Sequence, residues 1–147
     1  MVIESRVTPT PGEMNALPLY NDLPVGEYSR VGRVGNYGYL CCGRRSASVL
    51  SNRGCRAHCS FCSVATFNGQ GVRERSVESV LDEIKYLYEN YGIRHIPWLD
   101  DDLLFNKRRS IALFQGIGDL KLDITWDATN GLIAAAINEE NMQAMSE

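Results

Sequence analysis

The sequence predicts an α/β fold in which parallel strands alternate with helices. Two observations lead to this fold class: stretches of helical periodicity alternate with short apolar runs, and each run ends in a turn or a cluster of polar residues. A chain of 147 residues, 44% hydrophobic and 22% charged, has room for one compact domain with a buried core. This composition excludes collagen-like, low-complexity and wholly disordered chains. Strand and helix in alternation favour parallel pairing through right-handed crossovers.

Residues 1–45 are expected to form an irregular arm or linker. This stretch contains four of the five prolines and shows no sustained periodicity. The folded part then begins with residues 46–51, a run of small and aliphatic residues that fits a buried strand ending in a turn. We therefore divide the chain into an arm, residues 1–45, and a folded part, residues 46–147.

The next two elements are a helix and a second strand. A helix is predicted over residues 77–91, because apolar residues recur there at three- and four-residue steps. Ser76 can cap its start, and Gly92 can adopt the left-handed conformation that ends helices. The second strand, residues 93–99, contains Pro97, which lacks the N–H group that a central strand donates. It ends in three aspartates, Asp100 to Asp102.

Two further helices and a third strand complete the alternation. Asn106 can cap a helix whose far end is weakened by Gly116 and Gly118, residues 124–128 form a strand, and another helix is predicted from Asn138. Three strand–helix units leave open sheet edges, whereas a closed eight-unit barrel takes about 250 residues. We therefore expect an incomplete piece of a larger barrel or open sheet.

Composition and charge limit the location and the partners of the protein. No apolar stretch approaches the roughly 18 residues that cross a bilayer, and no signal peptide is visible. We expect a cytoplasmic protein, because its five cysteines are typical of a reducing compartment, where thiols serve metals or catalysis. Residues 30–75 hold eight arginines and one acidic residue. A solvated loop region balanced by acidic parts of the fold is favoured over contact with RNA.

The main chemical signal is a C-x3-C-x2-C spacing formed by Cys55, Cys59 and Cys62 directly after the first strand. Three thiolates in so short a loop can turn to a common centre and hold an iron–sulfur cluster. A cubane of four irons would keep one iron without a protein ligand, open to a substrate or cofactor. The loop follows a strand at the edge where α/β barrels have their active sites. Asp100 to Asp102 and residues 127–130 are expected at the same edge.

Two alternatives stay open at this point. A structural zinc ion would need a fourth ligand, for which His58, Cys41 and Cys42 are available. A cluster that only transfers electrons would need Cys41 or Cys42 as a fourth thiolate. His95 is expected to be a strand residue without chemistry.

The cysteine motif, with the aromatic Phe61 before its last cysteine, resembles that of the radical S-adenosylmethionine (radical SAM) superfamily. Further motifs are similar to the group of this superfamily that is often joined to a cobalamin-binding domain. These motifs are Asp22-Leu23-Pro24, Arg53-Gly54-Cys55, Cys59-Ser60-Phe61-Cys62-Ser63, Arg73-x-Arg75-Ser76 with Glu83-Ile84, Asp100-Asp101 and Asn130-Gly131-Leu132.

The resemblance implies a TIM-like radical SAM barrel, of which residues 46–147 would be the N-terminal half. It implies a 4Fe-4S cluster on Cys55, Cys59 and Cys62, whose fourth iron is chelated by S-adenosylmethionine. Phe61 would then lie near the adenine, and Asp100 and Asp101 near the amino group.

The chemistry implied by the resemblance is reductive cleavage of S-adenosylmethionine to methionine and a 5′-deoxyadenosyl radical. The reductant would be a protein such as a flavodoxin or ferredoxin, and cobalamin, held by a domain outside these residues, would be a further cofactor. A small-molecule substrate is expected in preference to RNA. The sequence identifies neither the substrate nor a catalytic residue beyond these contacts.

Overall fold

A computed structural model describes residues 9–31 and 43–146. Within these ranges it contains six α-helices and four strands, together with two single 3₁₀ turns at Tyr20–Asp22 and Ala134–Ala136. The helices are α1 (Pro11–Asn15), α2 (Val25–Val31), α3 (Val64–Asn68), α4 (Val77–Tyr91), α5 (Lys107–Asp119) and α6 (Glu139–Ser146). The strands are β1 (Asn52–Arg53), β2 (Arg73–Glu74), β3 (His95–Trp98) and β4 (Thr125–Ala128).

A small parallel sheet lies at the centre of the fold. Strands β3 and β4 pair in parallel, with His95 opposite Thr125 and Trp98 opposite Ala128. Residues 46–49 run parallel along the other edge of β3. The predicted α/β class with parallel strands is confirmed, whereas the truncated barrel stays a prediction.

Helix α4 follows its sequence signals at both ends. The Ser76 hydroxyl accepts a hydrogen bond from the Ser79 N–H at 3.2 Å. Gly92 adopts the left-handed conformation, with φ of 66°, and its N–H donates to the Leu87 carbonyl. Both predicted bounds of this helix are therefore confirmed.

Helix α5 is capped by Asn106, as predicted, and continues through Gly116 to Asp119. A Cβ at Gly116 would lie 2.6 Å from Cδ1 of Leu81 in α4. Glycine therefore lets the two helices approach closely at this point, a packing benefit that offsets its poor helix propensity. The expected weakening at the far end does not stop the helix.

The hydrophobic core lies between the parallel sheet and helices α4 and α5. Its members are apolar side chains that alternate along the strands and recur with helical spacing along the helices. They include Val49, Val80, Ile84, Leu87, Ile96, Trp98, Leu113 and Phe114, each at most 2% exposed. Burial of these side chains holds the sheet and helices together.

The first predicted strand, residues 46–51, is not a continuous strand, and Pro97 explains why. Ala47 donates its N–H to the His95 carbonyl at 3.3 Å, and Val49 donates to the Pro97 carbonyl at 3.2 Å. A regular parallel ladder would place between them a bond from the N–H of residue 97 to the Ala47 carbonyl. Proline has no N–H, so the ladder is reduced to two isolated bridges, Ser46 with His95 and Val49 with Trp98.

The N-terminal arm, predicted to be irregular, contains helices α1 and α2 in its described part. The side chain of Thr10 accepts from the Glu13 N–H while the Glu13 carboxylate accepts from the Thr10 N–H, a reciprocal cap that starts α1 next to Pro11. The arm also packs on the folded part, since Val25 belongs to the core. Proline content therefore misled the prediction, because prolines begin helices as well as interrupt them.

No helix in residues 9–31 and 43–146 has the length and apolar character needed to span a membrane.

Candidate functional site

The cysteine loop leaves the fold at a position that only glycine can occupy. Strands β1 and β2 pair antiparallel, with Arg53 opposite Arg73. Directly after β1, Gly54 has a φ of 94°, and a Cβ there would overlap the carbonyl oxygen of Gly71. Positive φ and this close approach both exclude larger residues. The antiparallel pair and α3 were not predicted, and they determine where the loop begins and ends.

The three predicted metal ligands line one cavity. Cys55, Cys59 and Cys62 border a cavity of about 190 Å³, together with Asp101, Asn130 and His58, the residue suggested as a fourth zinc ligand. All three cysteines are free thiols, with Cys55 half-buried and the other two exposed. The Ala57 backbone N–H donates to the Cys55 sulfur at 3.3 Å. The sequence spacing thus brings three sulfur donors to a common space.

The predicted convergence of strand ends is also observed. Asp101 follows β3, lines the cavity and accepts a hydrogen bond from the Asn68 amide at 2.9 Å. Asn130 follows β4 and donates to the Leu99 carbonyl at 2.9 Å. The carboxyl ends of parallel strands share one edge of a sheet, so residues far apart in sequence meet the cysteine loop there.

Asp100 does not line the cavity, although the sequence suggested it beside Asp101 as a cofactor contact. Its side chain is buried and accepts the Ser51 N–H at 2.9 Å, the Ser51 hydroxyl at 2.6 Å and the Asn52 N–H at 2.7 Å. Burial raises the pKa of the Asp100 carboxyl above its ordinary value of 3.8, against the opposite effect of these hydrogen bonds. Asp100 therefore holds the chain that leads into the cysteine loop.

Asp102 has a third set of contacts. Its carboxylate is 1% exposed and forms an ion pair with Arg56, the residue after Cys55. Hydrogen bonds to Asp102 raise the pKa of Arg56 above its ordinary value. The three consecutive aspartates thus contact Ser51 and Asn52, the cavity and the cysteine loop, respectively.

Phe61 lies in the cysteine loop, and its ring is exposed. The residue is 91% exposed and is not among those that line the cavity. Its suggested contact with adenine stays a prediction. Phe67, on α3, is also highly exposed, at 86%.

A buried polar network supports the segment before the cysteine loop. Arg109 donates to the Ser51 carbonyl at 2.9 Å and to the Arg75 carbonyl at 2.8 Å. Arg75 in turn pairs with Glu83, which accepts the Tyr20 hydroxyl. Burial lowers the pKa of Arg109 and raises the pKa of Tyr20. These arginine contacts were not predicted, because their partners are far apart in sequence and only the fold brings them together.

His95 lies in β3, as predicted, and both of its ring nitrogens have partners. Nδ1 lies 2.8 Å from the Thr125 hydroxyl, and Nε2 lies 2.8 Å from Oδ2 of Asp127. These contacts join the side chains of β3 and β4. Cys41 and Cys42, proposed as alternative fourth ligands, lie outside the described residues.

Two larger cavities contain no cysteine. One of about 470 Å³ lies between the N-terminal arm and residues 48–53, and one of about 810 Å³ lies between β4 and α6. The donor chemistry, and not the volume, therefore identifies the cysteine-lined cavity as the candidate site.

Fold and site together define the class of protein: an α/β protein with a thiol-lined cavity where its parallel strands end, the place where such folds hold cofactors. The family model for the radical SAM superfamily matches residues 49–147. The chain therefore belongs to the radical SAM superfamily, as its motifs predicted.

Curated relatives of the chain include several methyltransferases. An uncharacterized methyltransferase of Pyrococcus horikoshii is 38% identical over 99 residues, which are 67% of this chain and 21% of that protein. Cytidylyl-2-hydroxyethylphosphonate methyltransferase of Streptomyces wedmorensis is 33% identical over 105 residues, 71% of this chain and 19% of that protein. Bacteriochlorophyllide d C-12(1)-methyltransferase of Chlorobaculum tepidum is 32% identical over 82 residues, 54% of this chain and 18% of that protein. The chain thus spans about a fifth of the length of these relatives.

Proposed function

We propose that this chain is the cofactor-binding part of a radical SAM enzyme, with a 4Fe-4S cluster held by Cys55, Cys59 and Cys62. The observation that carries the proposal is the common cavity of these three free thiols with Asp101 and Asn130 at the strand ends. When bound, the cluster supplies the electron that cleaves S-adenosylmethionine to methionine and a 5′-deoxyadenosyl radical. The protein contributes binding, orientation and exclusion of water.

His58 lines the cavity with the three cysteines and could be the fourth ligand of a zinc ion, so the family of the chain, and not the donor set, favours a cluster. A structural zinc ion needs four ligands around one point, each about 2.0–2.3 Å from the metal. Ligands of a cubane bind different irons, so their sulfurs need only line a shared cavity. Three cysteines would each bind one of the four irons, which leaves the fourth iron open to S-adenosylmethionine.

The groups around the cavity suit the polar end of S-adenosylmethionine. The Asp101 carboxylate carries a negative charge that complements the amino group, and Asn130 presents an amide at the same cavity. The exposed ring of Phe61 is free to stack on the adenine. Asp100 acts differently in this proposal, because its hydrogen bonds are with Ser51 and Asn52 and it acts through the chain that carries Cys55.

Methyl transfer to a small molecule is the reaction class that we propose. The names of the relatives support it, since each of the three is a methyltransferase. A reductant such as a flavodoxin or ferredoxin would supply the electron, and cobalamin held outside the described residues would be a further cofactor.

The arginines of residues 43–75 argue against RNA as the substrate. Most of those in the described chain have partners within the fold: Arg44 with Asp123, Arg45 with Ser29 and Gly26, Arg56 with Asp102, Arg73 with Asn68, and Arg75 with Glu83. Three of them, Arg44, Arg56 and Arg75, pair with carboxylates, which offsets the charge that they could offer to phosphates. The arginine-rich segment is therefore better explained by internal contacts.

Anaerobic reconstitution with iron and sulfide tests the proposal. We expect about four irons per chain and a reduced cluster whose electron paramagnetic resonance spectrum changes when S-adenosylmethionine is added. Replacement of Cys55, Cys59 or Cys62 by Ala should abolish the cluster, whereas Cys41→Ala and Cys42→Ala serve as matched controls that retain it. Zinc in place of iron, or loss of the cluster in a control variant, would contradict the three-ligand assignment.

A further inference from the structure

Arg56 and Asp102 make a two-point contact that joins the cysteine loop to the end of β3. Nε of Arg56 lies 2.6 Å from Oδ2 of Asp102, and Nη2 lies 2.9 Å from Oδ1. The Arg56 backbone N–H also donates to Oδ2, at 3.4 Å. Because the guanidinium and the carboxylate are both planar, two parallel hydrogen bonds fix their relative orientation as well as their distance.

The two partners differ in how they are held. The Asp102 side chain is buried, and its backbone carbonyl accepts the Asn52 amide at 2.9 Å. The Arg56 side chain is 40% exposed, and its guanidinium lies over the Phe105 ring, 5.0 Å from the centroid. Asp102 is therefore a fixed part of the fold, and Arg56 attaches the exposed loop to it.

Cys55 lies between two anchored points of the backbone. Upstream, Ser51 and Asn52 are bound to the Asp100 carboxylate. Downstream, Arg56 is bound to Asp102. Cys55 is accordingly half-buried, whereas Cys59 and Cys62, further along the loop, are exposed. The backbone on both sides of Cys55 is thus held by carboxylates, whereas Cys59 and Cys62 are joined to each other by the Cys62 N–H and the Cys59 carbonyl at 3.1 Å.

We propose that the ion pair of Arg56 with Asp102 positions Cys55 for cluster binding, so that Arg56 is a positioning residue of the cofactor site. This inference rests on the proposed function. Without the pair, the chain after Cys55 loses its attachment to β3, and the Cys55 sulfur is no longer directed into the cavity. The cluster then loses one of its three protein ligands more often and dissociates faster.

Iron release from the reconstituted protein to a strong chelator measures this positioning. We expect Arg56→Gln and Asp102→Asn each to accelerate release about tenfold, the lower end of the effect of outer partners on metal binding. The double variant should release iron no faster than the faster single variant, because both changes remove the same contact. Lys107→Gln and Glu140→Gln are the matched control, since this 2.8 Å ion pair is exposed and lies away from the cavity.

The reduction potential of the cluster separates positioning from charge. Loss of the Arg56 cation should make the potential more negative, and loss of the Asp102 anion should make it more positive, because net charge near a cluster sets its potential. The neutral double variant should return to near the wild-type potential and still release iron fast. Arg56→Lys keeps the charge without the two-point contact, so it should keep the potential and fail to restore slow release.

The outcomes are distinguishable. If the wild-type protein takes up no iron, the proposed function itself is wrong. If the wild type holds the cluster and both single variants release iron at its rate, only the positioning role is wrong. A lower melting temperature of the iron-free variants, with unchanged release and potential, would assign the pair to folding alone and overturn the inference.

Discussion

The helical layer, by which we mean α4 and α5 with the strand β3 that they cover, and the cysteine loop are stabilised in different ways. Helices α4 and α5 and strand β3 bury apolar side chains such as Leu87 and Leu113, both fully buried. The loop exposes Phe61 and two of its cysteines, and it is held by the carboxylates of neighbouring aspartates. Apolar burial is non-directional, whereas these hydrogen bonds fix orientation. Mutations should therefore be able to lower the stability of the fold and the binding of the cofactor separately.

The largest expected effect lies in the helical layer. Leu87→Ala should lower the free energy of unfolding by about 2–5 kcal/mol, because it leaves a cavity in a fully buried position. Phe61→Ala should change it by less than about 0.5 kcal/mol, since its ring is exposed. Urea unfolding followed by circular dichroism measures both. Equal losses in the two variants would remove the distinction between layer and loop.

The start of the loop should show an intermediate effect. Gly71→Ala should cost about 1–2 kcal/mol from its positive φ alone, because a Cβ there meets no neighbour. Gly54→Ala should cost more and also reduce iron loading, since its Cβ would overlap the Gly71 carbonyl. The two variants are matched in chemistry and backbone conformation. Iron uptake by Gly54→Ala at the wild-type level would show that the loop start does not position the cysteines.

Asp100 should have a smaller effect, with a defined pH dependence. Asp100→Asn should lower the free energy of unfolding by about 1–3 kcal/mol, because an amide cannot accept all of the hydrogen bonds from Ser51 and Asn52. Burial raises the pKa of Asp100, so the folded protein holds this proton to higher pH than the unfolded chain. This difference in pKa contributes to the free energy of unfolding in full below pH 3.8, the ordinary pKa of the carboxyl. The contribution is lost as the pH rises through the raised pKa of Asp100 in the folded protein.

Urea unfolding over a pH series tests the Asp100 prediction. Above pH 3.8 the wild type should lose this contribution, whereas the Asn variant has no carboxyl at this position to titrate. The difference in free energy of unfolding between wild type and variant should therefore become smaller as pH rises. Asp101→Asn is the matched control, and we expect it to alter the response of the cluster to S-adenosylmethionine with little effect on unfolding. If the difference in free energy of unfolding instead became larger as pH rises, burial would not be the dominant influence on the pKa of Asp100.

The sequence predicted the elements whose signals are local. The bounds of α4 follow from Ser76, Gly92 and the spacing of apolar residues, all of which lie within one stretch of chain. The cap of α5 and the position of β4 follow from similar signals. Cys55, Cys59 and Cys62 were recognised as one group because their spacing is short. Their common cavity is therefore the part of the site that sequence specifies most directly.

The parts that were missed depend on contacts between distant residues. Arg109 reaches Ser51 across 58 positions, and Arg56 reaches Asp102 across 46. No periodicity reveals such partners before the topology is known. The interruption of the first strand was predictable only in part. The sequence shows that Pro97 lacks an N–H group, but it does not show that the Ala47 carbonyl faces this position. The family resemblance suggested Asp100 and Asp101 alike as cofactor contacts, whereas in the fold Asp101 lines the cavity and Asp100 binds Ser51 and Asn52.

The order of Asp100, Asp101 and Asp102 limits how the chain can change in length. Each carboxylate has its own partner, so deleting or inserting one residue between Trp98 and Asp100 would shift every one of them by a position relative to β3. The acidic composition would survive, but the cavity-facing carboxylate would turn towards Ser51 or Arg56. This connection between a strand and a helix should therefore tolerate changes in length less well than surface loops usually do.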